Sequence, residues 1–291
     1  MRRKPDSRAF STDLMKGEGG AKYKMKVNTS HAQMLDFARK HNIKDKIVKP
    51  EECDNGAGVS IFDPVMCELS YRWFCPPGGT IIDPFAGGSV RGIVAASLGY
   101  QYHGVDLREE QIQANREQWE SVRVKKHGLP SPQWYVGDSH NIASICDGVE
   151  ADLIFSCPPY ADLEVYSENP LDISTMSYPE FSAALSRIIK ASVSLLKDNR
   201  FAVFVVGEVR GKDGNYYGFV PDTIRHFEDA GMRYYNEAIL ITQVGSLPIR
   251  VGKAFEATRK LGKTHQNVLV FVKGDPKKAA DEIGEVQFGD I

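Results

Sequence analysis

From Thr80 onward the chain alternates short apolar runs with longer stretches in which apolar residues return every third or fourth position. Thr80-Ile81-Ile82-Asp83, Tyr102 to Val105, Gln133 to Val136, Ala151 to Ser156 and Phe201 to Val206 are compact runs rich in β-branched and aromatic residues. They read as strands buried on both faces. Val90 to Leu98, Glu109 to Val124, Tyr178 to Leu196 and Pro221 to Ala230 carry the helical period instead. Ala238 to Thr242 and Asn267 to Val272 are the last two strands. Strands separated by helices predict an α/β domain with a mostly parallel sheet.

Before this alternation the pattern weakens. Val65 to Phe74 reads as an amphipathic helix that stops at Pro76-Pro77-Gly78-Gly79, and His31 to His41 as a short helix capped by Ser30. Residues 1–24 are polar and without period. The expected division is a basic, partly disordered extension over 1–59, a catalytic domain over 60–274 and an acidic, frayed tail over 275–291.

Composition narrows the class. The 291 residues are 42% hydrophobic and 25% charged, enough to build a full core. No run reaches the roughly eighteen apolar residues of a membrane span. No signal-peptide core follows the basic start MRRKPDSRAF. A cytoplasmic location with no membrane partner is therefore expected. Five cysteines, none in a CxxC pair, predict reduced thiols. The seven histidines show no metal-ligand spacing, so no metal is expected. The net charge of −2 conceals a surplus of eight positive charges in residues 1–50, leaving −10 for the rest. A basic arm beside a near-neutral body suits a polyanion, although a solvated leader has the same composition.

Ligands of open α/β sheets bind beyond the carboxyl ends of the strands. Four successive predicted strands end on Asp83, Asp106, Asp138 and Cys157. The first turn, Asp83-Pro84-Phe85-Ala86-Gly87-Gly88-Ser89, lacks both GxGxxG spacing and the lysine of a phosphate-binding loop. Its small residues admit a ligand close to the backbone, and its acid suits a cationic amine such as that of S-adenosyl-L-methionine. A tight turn that needs glycine reads the same way. Asp106 is placed to accept ribose hydroxyls or to cap the next helix, and Asp138 to accept from an adenine amino group or to cap. Cys157-Pro158-Pro159-Tyr160 ends a buried strand with two prolines. Its carbonyls are left for an amine donor, and Tyr160 is available to stack on a base.

Together these motifs resemble the S-adenosylmethionine-dependent DNA amino-methyltransferases, which modify adenine N6 or cytosine N4. Asp83-Pro84-Phe85-Ala86-Gly87-Gly88 is similar to the family's DPFAGSG cofactor motif, and Cys157-Pro158-Pro159-Tyr160 to its (D/N/S)PPY catalytic motif. Phe62-Asp63-Pro64 resembles the segment that closes over the methionine end of the cofactor. Lys263-Thr264-His265-Gln266-Asn267 resembles the terminal-strand motif. The resemblance spans about residues 60–274. It implies a Rossmann-like class I methyltransferase sheet with an antiparallel last strand, direct methyl transfer to a flipped-out base, and double-stranded DNA as partner. Monomer and dimer remain equally open.

Two positions depart from the family. Gly88 replaces the usual serine, and Cys157 replaces the Asp, Asn or Ser that helps hold the amine. Sulfur is a weak acceptor, so the Pro158 carbonyl is left with the task, and Asp162 or Glu164 are candidates to assist. Cys157 as a covalent nucleophile is disfavoured, because it precedes proline rather than following it. Phosphate contacts are expected from Arg210 and Lys212 in the 208–218 loop, and from Arg250, Lys253, Arg259 and Lys263 in the 243–263 loop. An RNA-base or protein-glutamine methyltransferase, and a catalytically silent nucleic-acid-binding subunit, are the alternatives.

Overall fold

The computed structural model describes residues 62–124, 128–161, 165–242 and 247–286. The expectations for the basic extension, its 31–41 helix, Asp162 and Glu164 lie outside the described residues. In chain order the elements are α1 (Pro64–Phe74), β1 (Thr80–Asp83), α2 (Val90–Ser97), β2 (Gln101–Asp106) and α3 (Glu109–Arg123). Next come β3 (Gln133–Val136), α4 (Ile142–Ile145), β4 (Ala151–Ser156), α5 (Tyr178–Leu195), β5 (Leu196–Val206) and α6 (Phe219–Asp229). The chain continues with β6 (Arg233–Ile241), α7 (Leu247–Thr258), β7 (His265–Lys273) and α8 (Pro276–Ile283).

The strands form one sheet in the order β3-β2-β1-β4-β5-β7-β6. Pairs among β1 to β5 are parallel, while β7 runs antiparallel to both β5 and β6. The expected α/β, Rossmann-like sheet with an antiparallel last strand is the observed one. Strand order reverses at β1, so the carboxyl ends of β2 and β4 flank that of β1. This is the crevice in which such sheets hold ligands.

Period-2 alternation divides each central strand between two cores. On one face, Leu153, Phe155, Phe201, Val203 and Val205 meet Tyr71 of α1 and Ile93 of α2. On the other, Ile154, Ala202, Phe204 and Val206 meet Phe181 and Leu185 of α5 and Phe227 of α6. Every residue of β4 is buried, which explains why its run shows no polar alternation. Local signals set the helix starts. Asp63 caps α1, Ser177 and Glu180 form a capping box at α5, and Asp275 caps α8 with Pro276 behind it.

Three expectations are corrected. The segment 243–263 is not a plain loop, because it contains α7. The chain beyond Gly274 is not frayed at once, because α8 buries Ala279 and Ile283 in the α1–α2 core. Strand β5 begins at Leu196, five residues before the apolar run: buried Leu196 pairs with Ala151 and buried Arg200 with Lys273, on either side of a register shift. Among the described residues no helix is long and apolar enough to cross a membrane.

Candidate active site

The turn after β1 is built by its neighbours. Ala86 N–H donates to the Val105 carbonyl at 2.9 Å, and Ser139 Oγ donates to the Pro84 carbonyl. Gly87 has φ +49°, a conformation that glycine adopts without strain. Its N–H donates to Asp106 Oδ2 at 2.9 Å, and its carbonyl accepts from Asn115 Nδ2 at 2.7 Å. A Cβ on Gly88 would meet nothing within 4 Å, so open space lies beside the turn. Gly104 is required for closeness instead, since a Cβ there would fall 2.8 Å from that of Ala86.

Asp83 is fully buried. Its Oδ1 accepts from Phe85 N and Ser156 Oγ, and its Oδ2 from Arg91 Nε at 2.6 Å and the Tyr102 phenol at 2.8 Å. Four donors saturate a carboxylate. The expectation that Asp83 accepts a ligand's amine directly is therefore corrected: it organises the floor of the turn. Arg91 is the residue the sequence reading missed. It lies eight positions downstream on α2, donates to the Phe85 carbonyl, and stacks over Phe62 with 4.9 Å to the ring centroid. Burial alone works against its charge, but the Asp83 carboxylate holds its pKa above the ordinary value. Burial, followed by the neighbouring Asp83, pushes the Tyr102 phenol well up, so it stays a protonated donor.

Phe62 and Asp63 reach the same corner. The Phe62 ring packs edge-on against Phe155 at 5.7 Å, and Asp63 Oδ1 accepts from Val65 N at 2.8 Å as the cap of α1.

Asp106 ends β2 with each oxygen taking one backbone donor, Gly87 N on Oδ2 and Arg108 N on Oδ1. A lone pair remains on each. Asp106 does not cap α3, whose cap position is Arg108. Burial raises its pKa, against the hydrogen bonds and the Arg108 charge that work to lower it. Asp138 caps the short turn over Ser139–Asn141 through its Oδ1, which meets both His140 N at 2.9 Å and His140 Nδ1 at 2.8 Å. The buried His140 Nε2 has no hydrogen-bond partner among the described residues. An orphaned polar atom of this kind suits a bound ligand.

At the end of β4, Pro158 is buried and Cys157, Pro159 and Tyr160 are half-buried. Among the described residues no backbone amide donates to the Pro158 carbonyl. Cys157 Sγ lies 3.9 Å from the Tyr160 hydroxyl. Gln266 Nε2 donates to that hydroxyl, and the ring packs edge-on against Phe219 at 6.0 Å. Burial, with Cys157 beside it, raises the Tyr160 pKa far above its usual value. Ala161 follows with φ +48°, a conformation disfavoured for a side chain bearing Cβ. Strain at the motif's exit is what a turn held for function displays.

The basic candidates divide. Arg210 is engaged within its own loop: it donates to the Gly214 carbonyl at 2.8 Å and stacks on Tyr216 with 3.9 Å to the ring centroid. Lys212 is exposed at the tip. Arg250 lies on α7, Lys253 is exposed on the same helix, and Arg259 is exposed just beyond it with φ +61°. Lys263 is half-buried and reaches Asn267 Oδ1 at 3.4 Å. Burial lowers its pKa, against the pull of Glu208 and Glu237. It is thus half-buried against Asn267 rather than exposed like Lys253. Glu208, another residue missed from sequence, caps α6 by accepting from Phe219 N and Val220 N.

Neither a protein-family model nor a curated protein sequence matches the chain. Among solved structures it is similar to TrmN from Thermus thermophilus, with 15% identity, 75% of this chain covered and a TM-score of 0.48. The match covers 51% of TrmN, so the chain spans about half of that protein's length. It is similar also to a TehB-like SAM-dependent methyltransferase from Corynebacterium glutamicum (16% identity, 84% of this chain and 98% of that one, TM-score 0.43). A putative rRNA methylase from Clostridium thermocellum gives 13% identity over 74% of this chain and 100% of that one, with a TM-score of 0.46.

Proposed function

We propose that the chain transfers a methyl group from S-adenosyl-L-methionine to the exocyclic amino group of a nucleic-acid base, with adenine N6 or cytosine N4 of DNA preferred. The observation that carries this reading is topological. The Gly-rich turn after β1 lies between the Asp106 end of β2 and the Cys157-Pro158-Pro159-Tyr160 end of β4. A cofactor turn and an acceptor turn on neighbouring strands are what a direct transfer between two bound molecules needs.

The residues fit an adenosyl ligand. Asp106 keeps one lone pair per oxygen for a pair of ribose hydroxyls, and Asp138 with the unpartnered His140 Nε2 offers polar atoms for the adenine. Gly87 and Gly88 leave the backbone approachable. Asp83 acts from beneath by fixing Arg91, which in turn holds the Phe85 carbonyl of the turn. When bound, the cofactor supplies an electrophilic methyl group.

The protein's own part is placement. The Pro158 carbonyl accepts from the amine of the substrate and Tyr160 offers a ring face to its base. Cys157 contributes packing more than acceptance, since thiol sulfur accepts poorly. An unstacked base of DNA is the preferred acceptor because of the catalytic motif's resemblance.

Titration calorimetry with S-adenosylmethionine, then labelled-methyl transfer to DNA, RNA and protein, tests the reading. Saturable binding and label on the amino group of a DNA base are expected, identified by nucleoside mass spectrometry. Label on RNA or on a glutamine amide would replace the acceptor. Binding without transfer to any of the three would favour a silent nucleic-acid-binding subunit. Absence of cofactor binding would overturn the whole proposal.

A further inference from the structure

A second concavity lies on the α5 side of the sheet, apart from the Gly-rich turn. It has a volume of about 410 Å³ and is lined in part by Met176, Tyr178, Lys212, Asn215, Tyr216 and Tyr217. Its aromatic wall connects to the acceptor turn. Tyr160 packs on Phe219 (6.0 Å between ring centroids), Phe219 on Phe181 (5.4 Å), Phe181 on Tyr178 (6.0 Å) and Tyr178 on Tyr217 (4.4 Å, nearly parallel). One continuous aromatic stack therefore links the catalytic tyrosine to the concavity.

The loop that forms its rim is preorganised. Arg210 and Tyr216 form an antiparallel bridge, and Gly211 N donates to the Asn215 carbonyl at 2.9 Å. Gly214 N donates to the Gly211 carbonyl, also at 2.9 Å, and Gly214 takes φ +86°. The Arg210 guanidinium covers one face of Tyr216, yet Tyr216 is 46% exposed, so the uncovered side of its ring meets solvent. Lys212 is exposed at the tip, and the Lys260 ammonium lies 2.5 Å from where a Cβ on Gly214 would sit. Asp213 lines the same rim and Lys260 offsets its charge, so an exposed aromatic face beside Lys212 fits an unpaired nucleobase stacked on the ring with a phosphate on the lysine side.

We propose that this concavity binds an unpaired nucleotide next to the target, so that the acceptor is a single-stranded or locally opened polynucleotide. The inference rests on the proposed methylation of a nucleic-acid base and names the form in which the polymer is presented. Stacking on Tyr216 is sequence-tolerant, because every base offers a π face. Phosphate contact through Lys212 makes affinity fall with salt.

The test is fluorescence anisotropy with a labelled strand of about twelve nucleotides, a length within the usual footprint of such sites. DNA and RNA strands and the matching DNA duplex are compared on the full chain, with S-adenosylmethionine calorimetry run in parallel. The single strand is expected to bind at least about tenfold tighter than the duplex. Tyr216→Leu, which keeps bulk but removes the π face, should weaken strand binding by about tenfold, and Tyr216→Phe should not. Lys212→Ala should lower the slope of log affinity against log salt by about 0.7. Lys277→Ala, an exposed cation on α8 at the opposite face of the sheet, should change neither. Whether DNA or RNA binds tighter decides the sugar without affecting the inference. Equal binding by wild type and Tyr216→Leu, preference for duplex, or no strand binding at all would overturn it. Strand binding without cofactor binding would instead sink only the methyl-transfer reading.

Discussion

Gln266, at the start of β7, donates its side-chain amide to the phenol oxygen of Tyr160, 106 residues earlier at the exit of β4. Two further elements fix the same ring. Phe219 of α6 meets its face edge-on, and Gly207 at the end of β5 leaves it room, since a Cβ there would fall 3.2 Å from Tyr160 Cε1. Tyr160 is thus oriented by Gln266, Phe219 and the close approach of Gly207. Gln266→Leu is expected to slow methyl transfer about tenfold, the equivalent of about 1.4 kcal/mol for one misdirected buried hydrogen bond. S-adenosylmethionine affinity should stay within about twofold by calorimetry, because only the acceptor side is disturbed. A loss of cofactor binding equal to the loss of rate would show that Gln266 supports the fold rather than the tyrosine.

Asp106 carries two tasks that can be separated. Its Oδ2 holds Gly87 in place, and its remaining lone pairs are free for a ligand. Asp106→Asn retains one oxygen acceptor and is expected to weaken cofactor binding about tenfold, whereas Asp106→Ala, which also frees Gly87, should cost about a hundredfold. Burial raises the Asp106 pKa above the ordinary aspartate value of 3.8. The ligand-accepting form is the carboxylate, so affinity should fall on acidification at a pH above that of an ordinary aspartate. The same shift has the opposite sense for folding. A raised acid binds its proton more tightly in the native state, so its contribution to stability declines as pH rises through the window above 3.8. Calorimetric affinity measured from neutral to acid pH, beside thermal melts over the same range, checks both senses.

Much of this site was readable from the chain, and the part that was not has a physical cause. Strands β3 and β4 fall where the apolar runs place them, and the strand-end acids sit at the sheet's carboxyl edge, because short buried strands leave little freedom in register. The fate of Asp83 was hidden, since an acid before a Gly-rich turn looks the same whether it faces a ligand or an arginine eight residues later. Helix α7 was obscured by Gly252 and by basic residues that suggested a loop. The start of α8 was written plainly as Asp275-Pro276, a cap followed by a helix-starting proline, but the acidic composition around it outweighed that signal.

The Asp83–Arg91 pair makes a stability prediction distinct from any effect on binding. Arg91→Met removes the guanidinium and leaves a carboxylate with no exposed surface and no cation, held only by Phe85 N, Ser156 Oγ and the Tyr102 phenol. Breaking one side of a buried ion pair costs about 3–5 kcal/mol. The double variant Asp83→Asn/Arg91→Met removes the stranded charge and should recover part of that loss. Urea unfolding of the three proteins measures the coupling. A double variant no more stable than Arg91→Met would mean that the loss comes from packing on Phe62 and not from charge.

Helix α8 supplies the last prediction. Arg200 of β5 donates to Asp152 of β4 at 2.9 Å and to Glu282 of α8, while Lys197 reaches the same aspartate at 3.0 Å. The next residue, Ile283, is 6% exposed against the α1–α2 core. Ile283→Asp places a charge there and should cost about 3 kcal/mol, a fall in Tm of about 6–12 °C for a domain of this size. The ion pairs add a pH dependence of known sense. Burial works to raise the Asp152 pKa, but the Thr80 amide, Arg200 and Lys197 together hold it below the ordinary aspartate value of 3.8. A depressed acid stabilises the fold at all pH above its unfolded value and ceases to do so as pH falls through the native one. Asp152→Asn should therefore flatten the acid limb of stability below pH 3.8, where wild type is losing this contribution, and lower stability at neutral pH. Melts of wild type, Asp152→Asn and Ile283→Asp at neutral and acid pH separate the two effects: Asp152→Asn should flatten the acid limb, whereas Ile283→Asp, whose buried carboxyl is tolerated best when protonated, should lose less stability relative to wild type as pH falls.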